Sequence, residues 1–254
     1  MSRERLRVPV LGAPVDVLDW VGALNQIASW AAAGESRTVC CCNVHGVITQ
    51  RDDPTFAQAL QQADMVTPDG APVAGWLRRS GHPGQPRISG PELMLRCVEI
   101  ASARRLPVFL LGSTESTLQR LRQRLQERWP ALVIAGSLAP PFRPLEAGDD
   151  DAMVQQLCAS GARLVFVGLG CPKQELWMAR QRGRVPAVLL GVGAAFDFHA
   201  GSLRRAPPWM QAAGLEWLHR LLQEPRRLAW RYLSTNTRFM LGAAAHFMAR
   251  RFSR

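Results

Sequence analysis

Short apolar runs alternate with longer amphipathic stretches along most of the chain. The runs are rich in Val, Leu or Ile and are bounded by Gly, Pro, Asp or Asn, which predicts strands. Strands are predicted at Thr38–Asn43, Ala63–Thr67, Pro107–Gly112, Ala131–Ser137, Ala162–Gly168 and Ala187–Gly191. Helices are predicted at Val21–Ala33, Pro91–Arg105, Thr114–Arg128 and Asp150–Ser160. Apolar strands separated by helices indicate an α/β fold, a mostly parallel sheet with helices on both faces.

The pattern changes after about residue 202, where predicted strands stop and the remainder is predicted to be helical. We therefore expect an α/β core at residues 1–202 and a helical appendage at residues 203–254. The appendage has ten arginines and two acidic residues, so ten minus two gives +8 of the chain's net charge of +11. Tryptophan and phenylalanine are interleaved with these charges.

The net charge of +11 indicates an anionic partner, which the charge alone leaves open as nucleic acid, acidic lipid or a phosphorylated substrate. The six cysteines form no C-x-x-C pair, which argues against a zinc site and a secreted disulfide scaffold. No apolar run is long enough for a membrane-spanning helix, and the N-terminus lacks the apolar core of a signal peptide. We expect a protein of the reducing cytoplasm that would lie on a membrane rather than cross it.

Polar side chains occur where two predicted strands end, and in parallel sheets ligands bind beyond these ends. Asn43 ends one strand, with His45 close behind it as a further pocket candidate. Asp69 follows the next strand, between Pro68, which restricts the backbone, and Gly70, which permits a tight turn. A carboxylate presented there can act as a general base. The equally weighted alternative is that Asp69 caps the helix beginning near Gly70.

The segment from Gly168 to Gln174 combines a strand end, the G-x-G turn of Gly168 and Gly170, and a helix opened by Pro172. Glycines let the backbone approach a phosphate, and a helix N-terminus offers free N–H groups. Many βα turns have such glycines without binding anything. The presence of the only lysine, Lys173, beside Gln174 strengthens the phosphate interpretation.

Gly193 and Asp197 follow the last predicted strand. Asp197 is a candidate for contact with a ribose or sugar hydroxyl, although a turn-capping role is slightly favoured. Asp69 and Asp197 as the paired carboxylates of a glycoside hydrolase are permitted by the sequence but not supported by it.

Three arginines of the appendage, Arg220, Arg227 and Arg231, have spacings of seven and four residues. They share one face only if the helix tolerates Pro225, which more readily begins a new helix. A solvated basic face is the usual meaning of such a pattern. The functional alternatives are contact with anionic lipid headgroups and neutralisation of a diphosphate.

Taken together, four sets of segments resemble the WecG/TagA/CpsF family of bacterial glycosyltransferases. They are Ala63-Asp64-Met65-Val66-Thr67-Pro68-Asp69-Gly70; Gly168 to Trp177; Gly191 to Phe198; and the tail segments Arg205 to Met210, Gly214 to Leu221 and Glu224 to Leu228. The resemblance implies a Rossmann-like core and an arginine-bearing appendage that completes the active site at the membrane.

By this resemblance Asp69 is expected to be the catalytic base of an inverting transfer, and Asn43 and Gln174 to position donor or acceptor. The three arginines would offset charge on a UDP leaving group in place of a metal ion, with Arg226 as a competing candidate. No metal and no cofactor are expected. Cys41 stands where the family often has Thr, so a hydroxyl contact with the donor is lost there.

The implied partners are a UDP-sugar donor, a polyprenyl-diphosphate-linked saccharide acceptor and the anionic inner face of the cytoplasmic membrane, and not nucleic acid. The donor sugar and the oligomeric state, including a homo-oligomer, stay open. A non-catalytic nucleotide- or nucleic-acid-binding α/β protein is the alternative. UDP binding without turnover, or DNA binding with a steep salt dependence, would favour it. Truncation after about residue 202 is expected to lower both membrane binding and turnover.

Overall fold

Six parallel strands form the central sheet of the protein, for which a computed structural model describes residues 5–141, 143 and 146–252. The strands are β3 (Arg37–Cys42), β4 (Met65–Pro68), β5 (Val108–Gly112), β6 (Ile134–Leu138), β7 (Leu164–Gly168) and β8 (Val188–Gly191). Their order in the sheet is β4-β3-β8-β7-β5-β6. All six predicted strands are present, with ends shifted by up to three residues, as at Ile134.

Helices connect the strands and cover both faces of the sheet, which confirms the predicted α/β fold. They are α1 (Trp20–Ala33), α2 (Val44–Asp52), α3 (Pro54–Gln62), α4 (Ala71–Arg79), α5 (Gly90–Arg104), α6 (Glu115–Arg128), α7 (Ala147–Ser160), α8 (Lys173–Gln181) and α9 (Ala195–Ala200). Three further helices follow: α10 (Pro208–Ala212), α11 (Glu216–Gln223) and α12 (Pro225–Phe252).

Alternating side chains of each strand pack into two separate apolar clusters, one on each face of the sheet. In β7, Val165 and Val167 belong to one cluster, and Leu164 and Phe166 belong to the other. Successive side chains of a strand point to opposite faces, so a strand covered on both sides is apolar throughout. The uninterrupted apolar runs of the sequence therefore follow from the two-sided burial of this sheet.

A two-stranded antiparallel hairpin, which the sequence pattern did not predict, precedes the sheet. It consists of β1 (Arg7–Val10) and β2 (Ala13–Asp16), joined by a turn at Leu11 and Gly12, both with positive φ. Asp16 is fully buried, and its carboxylate accepts a hydrogen bond from the N–H of Val66 at 2.6 Å. Each strand has only four residues and contains a proline, which explains why local patterning missed the hairpin.

The last helix is anchored on the core by its buried side chains. Leu228 is 1% exposed and Phe239 is 3% exposed, and Phe239 lies 6.2 Å from the ring of Trp76. Arg238 forms two 2.6 Å hydrogen bonds with the carboxylate of Asp52. The division into a core at residues 1–202 and an appendage at 203–254 stays a prediction. Phe239 of α12 packs in the same apolar cluster as side chains of the sheet.

Pro225 begins a new helix, as predicted. Within the described part of the chain, no helix is long and apolar enough to cross a membrane.

Candidate active site

One cavity of about 820 Å³ lies where the sheet meets the last two helices. The carboxyl ends of β4, β3, β8 and β7, which are neighbours in the sheet, supply one side of it. Side chains of α11 and α12 supply the other side. Ligand cavities in proteins typically measure about 300–1,000 Å³, so this one is large enough for a nucleotide-sized molecule.

All of the residues selected from the sequence line this cavity. They are Asn43, Asp69, Gly168, Gly170, Lys173, Gln174, Gly193, Asp197, Arg220, Arg227 and Arg231. His45 also lines it, whereas the competing Arg226 does not. The structure thus brings the predicted residues together, and the roles assigned to them stay predictions.

Asp69 lies directly after β4, with its backbone N–H donating to the carbonyl of Cys42 at 2.9 Å. The N-cap of α4 is Gly70, whose φ is +91°, and this helix has no side-chain cap. The capping alternative for Asp69 is therefore wrong.

The surroundings of Asp69 raise its pKa to about 6. Burial, which disfavours the charged form, is the largest cause, and Glu216 adds to it. The positive charges of Arg87 and Arg220 act in the opposite direction. A carboxylate with a pKa near 6 is ionised at neutral pH and is still able to accept a proton, as a general base must.

Asn43 caps helix α2 by accepting a hydrogen bond from the N–H of Gly46 at 3.2 Å. This bond uses the side-chain oxygen, so the NH2 group remains available to a ligand. Nδ1 of the His45 ring lies 3.4 Å from the hydroxyl of Thr49, and burial, followed by the charge of Arg231, lowers the pKa of the ring.

The amide of Gln174 connects two of the strand-end segments. Its Oε1 accepts from the N–H of Gly193 at 3.1 Å, and its Nε2 donates to Glu175 at 2.7 Å. Both side chains are buried, and burial raises the pKa of Glu175 to about 7. These bonds fix the orientation of the amide. Helix α8 begins at Lys173 with Pro172 as its N-cap, one residue later than predicted.

Asp197 lies in the first turn of α9 and accepts a hydrogen bond from the hydroxyl of Ser113 at 3.5 Å. Burial raises its pKa, while Arg220 and Arg227 act to lower it. Ser113 also lines the cavity and has a φ of +58°, an uncommon conformation for a residue with a side chain. The carboxylate of Asp197 thus faces the arginine side of the cavity.

The three predicted arginines come from two helices rather than one, because α11 ends before Pro225. Glu224 lies between two of them, 2.8 Å from Arg227 Nη2 and 3.7 Å from Arg220 Nε. Arg231 has no carboxylate within 4.0 Å among the described residues. The guanidinium of Arg220 also lies 5.7 Å from the ring centre of Phe198. The three arginines together give this side of the cavity a positive charge, and Glu224 orients two of them.

Several further residues line the same cavity and were not expected from the sequence. Arg87 and Glu216 form an ion pair at 2.7 Å, and Trp217 packs edge-on against Tyr232 at 6.1 Å. Arg87 lies in the loop between α4 and α5, which is far in the sequence from any predicted strand end, so no local signal marked it. Glu175 and Glu216 were inside the quoted segments, and only their burial or pairing distinguishes them.

No three His, Cys, Asp or Glu side chains cluster as a metal site within residues 5–141, 143 and 146–252. The expectation that no metal takes part stays a prediction.

One family model matches nearly the whole chain. It is that of the glycosyl transferase WecG/TagA/CpsF family, and it covers residues 8–253 of the 254. The match includes every strand of the sheet, all residues of the cavity and the arginine-bearing helices. The protein therefore belongs to the glycosyl transferase WecG/TagA/CpsF family and is a glycosyltransferase of cell-surface polysaccharide synthesis.

Proposed function

We propose that the protein is an inverting glycosyltransferase that moves a sugar from a UDP-sugar to a polyprenyl-diphosphate-linked saccharide. The single observation that supports this most is that Asp69 and three arginines line the same cavity. The base comes from a strand end and the cations come from the last two helices. The reaction needs both, because a proton must leave the attacking oxygen and negative charge develops on the leaving group.

In this reaction Asp69 takes the proton of an acceptor hydroxyl as its oxygen attacks the anomeric carbon of the donor. The bond between that carbon and the diphosphate oxygen breaks, and UDP leaves with the electron pair. A single displacement of this kind inverts the configuration at the anomeric carbon. The raised pKa of Asp69 suits it to this role, because it can hold the proton that it has accepted.

Arg220, Arg227 and Arg231 would stabilise the negative charge that grows on UDP. Guanidinium groups bind phosphate oxygens in bidentate geometry and keep their charge at any physiological pH. Glu224 holds two of the three in place before substrate arrives, so little reorganisation is needed. These arginines would take the part that a metal ion plays elsewhere.

The remaining cavity residues would position the substrates. Asn43 and Gln174 offer amide groups whose orientation is fixed by hydrogen bonds. Gly168, Gly170 and Gly193 leave room for the diphosphate, Lys173 adds a positive charge, and Asp197 can accept hydrogen bonds from a ribose or sugar. The donor candidates are UDP-N-acetylmannosamine, its uronic acid and UDP-glucose.

Exposed apolar side chains on the last three helices support attachment to the inner face of the cytoplasmic membrane. They include Trp209, Trp217, Leu222, Trp230 and Leu233. They are interleaved with arginines, and this combination suits an interface with anionic lipid. A peripheral position there would bring the cavity to a lipid-linked acceptor. Whether the protein forms a homo-oligomer stays a prediction.

The decisive experiment measures UDP release from a panel of UDP-sugars with a prenyl-diphosphate saccharide acceptor. Wild type is compared with Asp69→Asn and with Asp151→Asn, a matched change at a residue 71% exposed and outside the cavity. We expect acceptor-dependent release from one donor, lost only in Asp69→Asn.

Full turnover in Asp69→Asn would remove Asp69 from the role of base. UDP binding without turnover of any donor would favour the nucleotide-binding alternative. DNA binding with a steep salt dependence would instead favour the nucleic-acid-binding alternative.

A further inference from the structure

A second cavity of about 340 Å³ adjoins the active-site cavity and has no part in the mechanism above. It is lined by Trp20, Ala71, Arg78, Arg87, Glu92 and Gln211. We infer that this second cavity binds the saccharide and diphosphate of a prenyl-linked acceptor, while the larger cavity holds the sugar nucleotide. The inference rests on the proposed function, because it names where the second substrate binds.

Two residues, Ala71 and Arg87, line both cavities, so they form the partition between them. The partition is completed from the helical side. A Cβ atom added to Gly214 would lie only 3.0 Å from Cβ of Ala71, and Glu216 forms its ion pair with Arg87. A ligand in the second cavity is therefore separated from the donor by one helix–loop contact and one ion pair.

Arg87 also connects the second cavity to the proposed base. It is the positive charge that acts most strongly on the Asp69 carboxyl, and it lies on the wall that the two cavities share. Asp69 lines only the larger cavity, so an acceptor in the second cavity would have to extend its hydroxyl past Arg87 to reach the base. The second cavity is thus on the side from which a second substrate can approach the base.

The chemistry of the lining suits a phosphorylated saccharide. Arg78 and Arg87 provide two guanidinium groups, the usual partners of phosphate. The guanidinium of Arg96 stacks on one face of the Trp20 ring at 4.2 Å, so only the opposite face of the ring can contact a sugar. The side-chain oxygen of Gln211 can accept a hydrogen bond from a hydroxyl, because its NH2 group donates to the carbonyl of Ala206. Most of these polar groups already have a protein partner, as Glu92 pairs with Arg205 at 3.2 Å, so the guanidinium of Arg78 is the group most available to a phosphate.

Arg78 is prepared for such a ligand by the loop that follows its helix. Its Nε donates to the carbonyl of Gln85 at 2.9 Å, which orients the guanidinium. No carboxylate within the described part of the chain lies within 4.0 Å of its terminal nitrogens. Arg78 therefore has two nitrogens available for a phosphate, whereas Arg87 already pairs with Glu216.

Exposed apolar residues adjoin the residues that line this cavity. Val21, 67% exposed, follows Trp20 in α1, and Trp209, 66% exposed, shares the short helix α10 with Gln211. A soluble sugar phosphate would make no use of such side chains. A prenyl chain leaving the cavity would pass over them toward the membrane, which favours a lipid-linked ligand.

The test measures the Kd of a water-soluble, short-chain prenyl-diphosphate saccharide and, separately, the Kd of UDP. Arg78→Ala is compared with Arg78→Lys and with Arg79→Ala, a matched change at the exposed neighbour that lines neither cavity. We expect Arg78→Ala to weaken acceptor binding about ten- to a hundredfold, Arg78→Lys to weaken it less, and the Kd of UDP to stay the same.

Equal acceptor affinity in wild type and Arg78→Ala would overturn the inference, and so would an equal loss in Arg79→Ala or a parallel loss of UDP affinity. The binding measurement does not depend on turnover. If acceptor binding depends on Arg78 but no donor releases UDP, the inference stands and the proposed function fails. If turnover depends on the acceptor but acceptor binding is unchanged in Arg78→Ala, the proposed function stands and the inference fails.

Discussion

The two sides of the active-site cavity are built in different ways. On the sheet side, the backbone N–H of Asp69 donates to the carbonyl of Cys42 at the end of β3, and the side chain of Gln174 in α8 accepts from the N–H of Gly193, just after β8. On the helical side, α11 has no buried residue, and its arginine is held by ion pairing with Glu224. The sheet side thus has fixed geometry, whereas the helical side depends largely on charge.

This difference matches the demands that the proposed reaction places on each side. A base must stand within hydrogen-bond reach of one proton, so it belongs on a rigid element. Cations that stabilise a diphosphate act over a longer range and tolerate a less rigid support. Exposed ion pairs contribute only about 0–1 kcal/mol each, so the helical side relies on Leu228 and Phe239 of α12 for attachment.

The largest expected effect comes from the sheet side. Asp69→Asn should lower kcat by roughly 10²- to 10⁴-fold, because the acceptor hydroxyl loses its base. The base must be ionised, and its pKa is about 6, so wild-type kcat/KM should fall as the pH drops through 6. The residual activity of Asp69→Asn should lack this acid limb. A pH–rate profile checks both points, and an unchanged limb in the variant would assign it to another group.

A smaller effect is expected on the helical side. Arg227→Ala should lower kcat by about ten- to a thousandfold, because one cation that faces the leaving group is removed. Arg226→Ala is the matched control, since this neighbouring exposed arginine does not line the cavity. Steady-state kinetics with saturating donor measures both. Equal losses in the two variants would show that charge on the appendage matters but its geometry does not.

The proposed membrane contact of the helical side can be tested without disturbing the fold. Truncation after residue 202 would also remove Leu228 and Phe239 from the interior, so it would confound binding with stability. Replacing both Trp230 and Leu233 by serine should instead weaken binding to anionic vesicles about tenfold, because apolar area at the interface is lost. Sedimentation with vesicles measures this.

The control for the vesicle experiment is Val133→Ser, an exposed apolar residue outside the last three helices. It should bind vesicles as wild type does. If the double variant also binds as wild type does, the exposed side chains of α12 are not the membrane contact.

The last expected effect is on stability rather than on activity or binding. Burial raises the pKa of Asp69 from 3.8 to about 6, so the ionised carboxylate destabilises the folded state above that range. At pH 7.5 the free energy of unfolding of Asp69→Asn should therefore exceed that of wild type by at most about 3 kcal/mol. Its Tm should be correspondingly higher. The difference in stability between Asp69→Asn and wild type should shrink as the pH falls from 6 toward 4, because the wild-type carboxyl becomes protonated. A pH-independent difference in Tm would point to packing rather than to ionisation.

Much of the fold and most of the site residues could be predicted from local sequence. The strands were recognisable because two-sided burial makes them apolar throughout, as at Leu164 to Val167. Asn43, Asp69 and Gln174 were recognisable because parallel strands end at one edge, where ligands bind. Pro225 marked the boundary between α11 and α12 for a similarly local reason, the lack of a backbone N–H.

The tertiary structure alone decided which of these segments are neighbours. The strand order β4-β3-β8-β7 brings Asp69 to the same cavity as Gly168, although about a hundred residues separate them in the chain. The pairing of Arg87 with Glu216, the burial of Glu175 and the second cavity beside Arg78 are contacts between distant segments. Hydrophobic periodicity reports which side of an element is buried and not what it is buried against, so these features could emerge only from the folded chain.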